Sequence, residues 1–410
     1  MSLVYLDNNA TTQPTPEVVA AMLPYLQEVY GNPSSVHRFG QRARRAIDQA
    51  RGQLAGLLHC AEAELLFTGG GTESINSAIR GLLGMRGPRR RVVTSTVEHS
   101  ASRELCRRLA KEGFEIVEIA VDRTGALDLD GLKEAVNDDA ALVSIMWANN
   151  ETGVIFPVAE ISEICQAARV PFHCDATQAA GKIAVDVAAA GVSVASMAAH
   201  KFHGPKGVGA MFIRRGTRIA PLLIGGPQER GRRGGTENVA GIVGMGLAAE
   251  LAGQHLGEMT RVAGQRDRLE RGVLNSIPDT HVIGGPRLPA DPHPDPLPEY
   301  RERGVETCHE KGWSGRVPNT TNIGFTRLEA EAILLLLSEQ DICASAGAAC
   351  SSGSLEPSHV LVAMGIDPKI AHGAIRFSLS RYTTDAEIDR ALTVLPGVIS
   401  RLRAVLPVGA

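Results

Sequence analysis

Glu64-Leu65-Leu66-Phe67-Thr68-Gly69-Gly70-Gly71-Thr72-Glu73-Ser74 passes from an apolar β-rich run, through three glycines, into a helical pattern that lasts to about Leu83. A strand feeding a glycine turn and then a helix is the repeating unit of an α/β domain. Glycines let the backbone approach an anion, and a helix N-terminus adds free N–H groups and a favourable dipole. The spacing lacks the Gly-Lys-Ser/Thr ending of a P-loop and is not a full GxGxxG. On its own the stretch therefore reads either as a phosphate-binding turn or as a plain helix-start turn.

The same alternation extends outward. Further β-rich runs lie at Arg91–Thr96, Phe114–Val121, Ala141–Trp147, Val170–Cys174, Val192–Met197 and Gly207–Ile213, which makes seven in all. Several are apolar on both faces, as in strands covered by helices on both sides. Helical patterns separate them: Pro16–Leu26 with Thr15 as N-cap and Pro16 at the first position, and Val158, Ile161, Ile164, Cys165 and Ala168 at helical spacing. The expectation is an α/β fold with a mostly parallel sheet, whose ligands sit beyond the carboxyl ends of the strands. After about Gly253 the texture changes to helices with fewer strands. The last helix opens with the capping-box pattern Thr384-Asp385-Ala386-Glu387, and Pro396 is expected to kink or break it.

The 410 residues suit one large and one small domain. A hydrophobic fraction of 44% and a charged fraction of 21% are those of a globular chain, and the 44 glycines against 4% aromatics imply tight turns and an aliphatic core. A net charge of −3 gives no electrostatic footprint for nucleic acid or an anionic membrane. The N-terminus shows no secretion signal, and the apolar run Ala332–Leu337 is too short to span a bilayer. Seven cysteines, at 60, 106, 165, 174, 308, 343 and 350, show no CxxC pair, so neither a disulfide framework nor a zinc ribbon is indicated. A reducing, cytoplasmic setting is expected. Residues 286–298 hold six prolines and lead into Glu299-Tyr300-Arg301-Glu302-Arg303, so about 287–316 reads as an inserted disordered loop without a catalytic role.

Polar residues follow the strand ends: His99 after Arg91–Thr96, Asn149 and Asn150 after Ala141–Trp147, Asp175 and Gln178 after Val170–Cys174, and His200 and Lys201 after Val192–Met197. Each alone could be a cap or turn residue; together they fit a ligand site. A lysine facing a ligand crevice suits Schiff-base formation where neighbours lower its pKa. His200 and His203 lack a third ligand at zinc spacing. Cys350 lies in the small, polar, glycine-containing segment Ala344–Ser354, expected to be a mobile loop with an accessible thiol, whereas most other cysteines have apolar neighbours. Arg376, in the β-like run Ile375–Leu379, calls for a carboxylate partner.

These motifs and their order resemble the cysteine desulfurases, pyridoxal phosphate (PLP) enzymes of the class V aminotransferase group, and above all the nitrogen-fixation (NifS-like) type. The resemblance rests on Val4–Thr12, Gly31-Asn32-Pro33-Ser34-Ser35, Thr72-Glu73-Ser74, Asn149–Gly153, His200-Lys201, Glu229–Arg233, Ser354–His359 and Ser378–Thr384. It implies a fold-type I PLP-dependent transferase and a homodimer, with a large domain over 16–253 and a smaller α+β domain from 1–15 and 254–410. It also implies roles. Lys201 would hold PLP covalently, Asp175 would pair with the pyridine nitrogen, Gln178 would reach the phenolic oxygen, and His99 would stack on the ring and shuttle protons. Gly71, Thr72 and His200 would hold the phosphate, with Thr236 from a second subunit. Asn150 and Arg376 would fix the substrate carboxylate. Cys350, in a mobile loop over 343–356, would take sulfur from L-cysteine, leaving L-alanine and a persulfide for an acceptor or Fe–S scaffold protein. No catalytic metal is implied, although Cys350 could meet a nascent cluster.

The sequence departs from relatives at Ala198, where Ser or Cys is common, and at Ala346 and Ala348, which replace loop serines. Two rival readings are a selenocysteine lyase or other class V enzyme, and a non-catalytic Fe–S scaffold using Cys350 and the histidines. The latter predicts a colourless or metal-containing protein rather than a yellow one.

Overall fold

A computed structural model of the chain describes residues 3–285, 315–347 and 357–405. In chain order its strands are β1 (Val4–Tyr5), β2 (Leu65–Thr68), β3 (Arg91–Ser95), β4 (Glu115–Ile119), β5 (Ala140–Met146), β6 (Phe172–Asp175), β7 (Val194–Ala198), β8 (Gly209–Ile213), β9 (Thr280–Ile283), β10 (Thr320–Phe325), β11 (Ile342–Cys343) and β12 (Ala374–Ser378). Seven of them form one sheet in the order β2-β8-β7-β6-β5-β3-β4. Pairs β3/β4, β3/β5, β5/β6 and β6/β7 are parallel, and β8 runs antiparallel to both β7 and β2. All seven β-rich runs thus enter the expected mostly parallel sheet, with ends moved by one or two residues.

Position in the sheet explains composition. Every residue of β5, β6, β7 and β8 is buried, as strands under two helical layers require. At the edge, β4 leaves Glu115 and Glu118 exposed, charges that discourage further strand pairing. The helix Val239–Gln254 is apolar all round and lies against the long helix Arg38–Leu58. Gly246 makes that approach possible, since a Cβ there would stand 2.5 Å from the Cα of Ala50.

Arg51, midway along Arg38–Leu58, is buried and meets Glu229 in a two-pronged ion pair of 2.7 and 3.0 Å, while Glu229 also accepts the Phe67 N–H. The pair holds Glu229 and Arg230 in the left-handed region, with φ of 47° and 59°. Such backbone persists only where its surroundings fix it. This clamp sets the course of the segment that carries Arg233 and Thr236.

The second part of the chain adds the antiparallel sheet β12-β10-β9 and takes in the N-terminal strand, because β1 pairs with β11 (Val4 with Ile342) and Asp7 bridges to Ser378. A separate apolar cluster unites Val4 and Leu6 with Val262, Leu269, Ile323, Phe325, Ile375, Phe377 and Ile388. Val360, Leu361 and Met364 pack instead with the large sheet's core. The last helix, Asp385–Ala404, keeps its capping box: Glu387 N–H donates to the Thr384 hydroxyl and Thr384 N–H to the Glu387 carboxylate.

Two expectations are corrected here. Pro396 neither breaks nor ends this helix. Leu395 on one side and Val398 and Ile399 on the other are buried, and their packing outweighs the roughly 3 kcal/mol that an internal proline costs. The loop expected over 343–356 does not begin at 343: Cys343 closes β11, and Ser345 exchanges backbone hydrogen bonds with Arg376. Residues 348–356 of that loop, with Cys350, and residues 287–314 of the expected insertion lie outside the described residues; Arg316 is paired with Glu270 at 2.7 Å. Among the described residues, no single helix is long and apolar enough to cross a membrane.

Candidate active site

Strands β3, β5, β6 and β7 are parallel, so their carboxyl ends open on one edge of the sheet, and the polar residues marked in the sequence collect there. β2 delivers the glycine turn. Gly70 caps the helix Gly71–Leu83 at φ 150°, and no side chain caps that helix. Its first-turn N–H groups therefore have no side-chain acceptor, and Thr72 is exposed beside them. Glu73 folds back to accept the Gly69 N–H at 2.7 Å and also pairs with Arg233, tying the turn to the 228–238 segment.

β3 runs through Val97 and Glu98 to His99, the N-cap of helix Ser100–Lys111, whose Nδ1 accepts the Ala101 N–H at 3.1 Å. That bond puts the proton of the neutral ring on Nε2. Burial pushes the imidazole below its ordinary range; Asp175 pulls it up, while Lys201 and Arg103 push it down. His99, Asp175 and Lys201 thus share one electrostatic neighbourhood.

Asp175 ends β6, nearly buried, with one carboxylate oxygen accepting the Thr177 N–H at 3.0 Å. Among the described residues it makes no ion pair. Gln178 follows, its Nε2 donating to the carbonyl of Asn9 at 3.0 Å. Lys201 lies in the short turn after β7, and its Nζ donates to the carbonyls of Asn9 at 2.7 Å and Ala10 at 2.9 Å. The Gln178 amide and the Lys201 amine therefore converge on one oxygen.

His200 is bonded to the Thr11 hydroxyl, and burial followed by Lys201, Lys206 and Lys182 pushes it down to about 4, so it is a neutral ring at pH 7. His203 faces elsewhere, to Gln13 and Ser380, and burial takes it too to about 4.

Arg376 is 2% exposed and reaches across from β12. It donates to the carbonyls of Asn150 at 3.0 Å and Gly347 at 3.4 Å, and its other arm holds Asp7 at 2.7 Å. The expected carboxylate partner is thus present, and its Nε is a buried donor without an acceptor. The Asn150 side chain makes no hydrogen bond among the described residues, and neither does exposed Thr236.

Sequence reasoning gave no role to several residues of this cluster. Asp7 and Asn9 come from the N-terminal segment, Lys182 sits four residues beyond Gln178, and Glu98 adjoins His99. Glu151, buried and raised by desolvation, accepts from the Ser358 hydroxyl at 2.5 Å. Asn9 is the hub: its side chain joins Lys182, Asn319, Thr320 and the Asn150 carbonyl, and its backbone joins Gln178, Lys201 and Ser378. Only its place in a quoted motif hinted at this.

Burial pushes Glu98 up to about 8, against the hydrogen bonds from Ser95 and Met146, with Asp175 adding to the rise. A folded-state value above the unfolded carboxylate value means that the native state holds the proton longer. Stability from this group is full below about pH 4 and falls as pH rises towards 8. Glu98→Gln, which mimics the protonated acid, is expected to flatten that decline: melting temperatures of wild type and variant should diverge between pH 5 and 8 in favour of the variant. Parallel curves would refute the assignment.

Comparisons with known proteins identify the family. The Aminotransferase class-V family model matches residues 4–293 and 303–391. The chain belongs to that family. "Cysteine desulfurase 2" of Trichormus variabilis is 50% identical over 407 residues, covering 99% of this chain and 96% of that protein. "Cysteine desulfurase NifS" of Azotobacter vinelandii is 47% identical over 409 residues, covering 99% and 95%. A solved structure described as a NifS-like protein superposes with a TM-score of 0.86 at 36% identity, over 98% of this chain and all of the other.

Proposed function

We propose that this protein is a cysteine desulfurase that converts L-cysteine to L-alanine and keeps the released sulfur as a persulfide on Cys350, for supply to iron–sulfur cluster assembly. The observation that carries this reading is the convergence of Lys201 and Gln178 on one carbonyl beside Asp175 and His99, at the strand ends of a class V fold.

The residues fit pyridoxal phosphate. Asp175 is a nearly buried carboxylate with no cationic partner among the described residues, as a protonated pyridine nitrogen requires. The Thr177 hydroxyl is a buried polar atom without a hydrogen bond, 3.5 Å from where a Cβ on Gly71 would stand. The helix start at Gly71, Thr72 and the neutral His200 would hold the phosphate, with Thr236 of the partner subunit completing it in a homodimer. Lys201 would carry the cofactor on Nζ, Gln178 would donate to its phenolic oxygen, and His99 would stack on its face with a proton on Nε2. Bound there, the cofactor supplies an electron sink for the carbanion formed when the substrate loses its α-proton.

The chain's own residues do the rest. Arg376 and Asn150 orient the substrate carboxylate. Asp7 holds one arm of Arg376, and Nε is the donor left for that carboxylate. Cys350 accepts the sulfur: enzyme thiol plus cysteine gives enzyme persulfide plus alanine, which balances without an external oxidant. The other described thiols are poor candidates, since burial pushes Cys60, Cys106 and Cys165 up to about 12 and raises Cys174 and Cys343. We further infer two domains, 16–253 and 1–15 with 254–410, a cytoplasmic setting, and a sulfur-acceptor or scaffold protein as partner.

The test is to incubate holoenzyme with L-cysteine and a thiol reductant. Alanine and sulfide should form in about equal amounts. Pyruvate and ammonia in place of alanine would overturn the proposal.

A further inference from the structure

Lys182 is a buried amine that the reaction outlined above does not use. Its Nζ donates to Asn9 Oδ1 at 2.8 Å and to Gln178 Oε1, both carbonyl oxygens that can only accept. The charged groups facing it are Lys201, on the turn after β7, and Arg376, on β12; both are cations, and among the described residues no carboxylate pairs with it. Burial, followed by those two cations, pushes the amine well below the ordinary lysine range, and a lysine held there without a counter-ion calls for a reason.

The contact fixes the direction of an amide. A carboxamide can turn over, exchanging oxygen and nitrogen at little cost where nothing discriminates between them. Here the Lys182 amine donates to the oxygen at one end, and the carbonyl of Asn9, which can only accept, demands an N–H at the other. Both constraints select one orientation. Nε2 is thereby placed beside the Lys201 amine, on the carbonyl they share, with its second hydrogen left over.

We infer that Lys182 is a positioning residue for the cofactor: it locks the Gln178 carboxamide so that Nε2, a donor, faces the phenolic oxygen. This rests on the reading of Gln178 given above. An unlocked amide would present its oxygen part of the time, setting lone pair against lone pair and disfavouring the anionic phenolate.

The readout is the pH midpoint at which the visible absorbance of the cofactor-loaded protein changes, with thermal unfolding as a check on folding. Lys182→Met is expected to raise the midpoint by about one pH unit with Gln178 present, and by less than about 0.3 with Gln178→Ala, because the effect passes through the amide. Lys182→Gln keeps a donor within reach of Gln178 without the charge and is expected to stay within about 0.3 of wild type; it also serves if the methionine variant does not fold. Equal shifts of Lys182→Met in both backgrounds, or a glutamine variant that titrates like the methionine one, would make Lys182 a source of potential only and overturn the inference. Gln178→Ala alone tests the underlying reading: an unchanged midpoint there removes Gln178 from the cofactor, whereas a shifted one with an unchanged Lys182→Met removes Lys182 alone.

Discussion

Cys350→Ala is expected to bind pyridoxal phosphate normally, keep the yellow colour of the holoenzyme, and release alanine and sulfide from cysteine at below about 1% of the wild-type rate. The loss should be this large because no described thiol can stand in. Cys106, Cys165 and Cys174 are buried core residues, and Cys60 and Cys343 are raised away from the thiolate form that attacks sulfur. Cys308→Ala serves as the control and should behave as wild type, since it falls in the segment read as inserted. Near-normal alanine production by Cys350→Ala would sink the assignment. Retained colour together with lost turnover separates a missing sulfur acceptor from a misfolded protein.

Lys201→Ala should lower turnover by about three orders of magnitude or more. It should also abolish the covalent attachment that borohydride fixes in the wild type, a result read directly by mass. The amine is well placed for this role: two carbonyls hold Nζ, at 2.7 and 2.9 Å, beside His99 and Gln178 at the strand ends. Should borohydride fix the cofactor to Lys201→Ala at wild-type stoichiometry, another amine would be the attachment point. Lys182 is the first to check, since it lies in the same network.

The large sheet was legible because its signal is local. Strands buried under two helical layers are largely apolar on both faces, and β5 to β8 announce themselves in single runs of residues. The strand-end residues His99, Asn150, Asp175, Gln178 and Lys201 could be picked out because the fold class says where to look. The partners of those residues could not. Asp7 meets Arg376 across 369 positions, and Asn9 meets Thr320 across 311, separations that no periodicity encodes. Glu98 drew no reading from the sequence, because its burial comes from the surrounding strands rather than from its neighbours in the chain. Lys182 left a faint local trace, its four-residue spacing from Gln178, which gains meaning only once both side chains are known to turn inward. Pro396 misled for the same reason: tertiary packing on both sides overrides a local breaker.

The placement of Asn9 has a consequence for how the enzyme comes into being. Its carbonyl orients Lys201 and Gln178, and its own position is fixed by Asn319, Thr320 and Ser378. A nascent chain can fold the sheet that carries the lysine long before residue 378 leaves the ribosome, but it cannot finish the catalytic centre. The large sheet is thus a platform whose site is closed by residues from the far end of the chain.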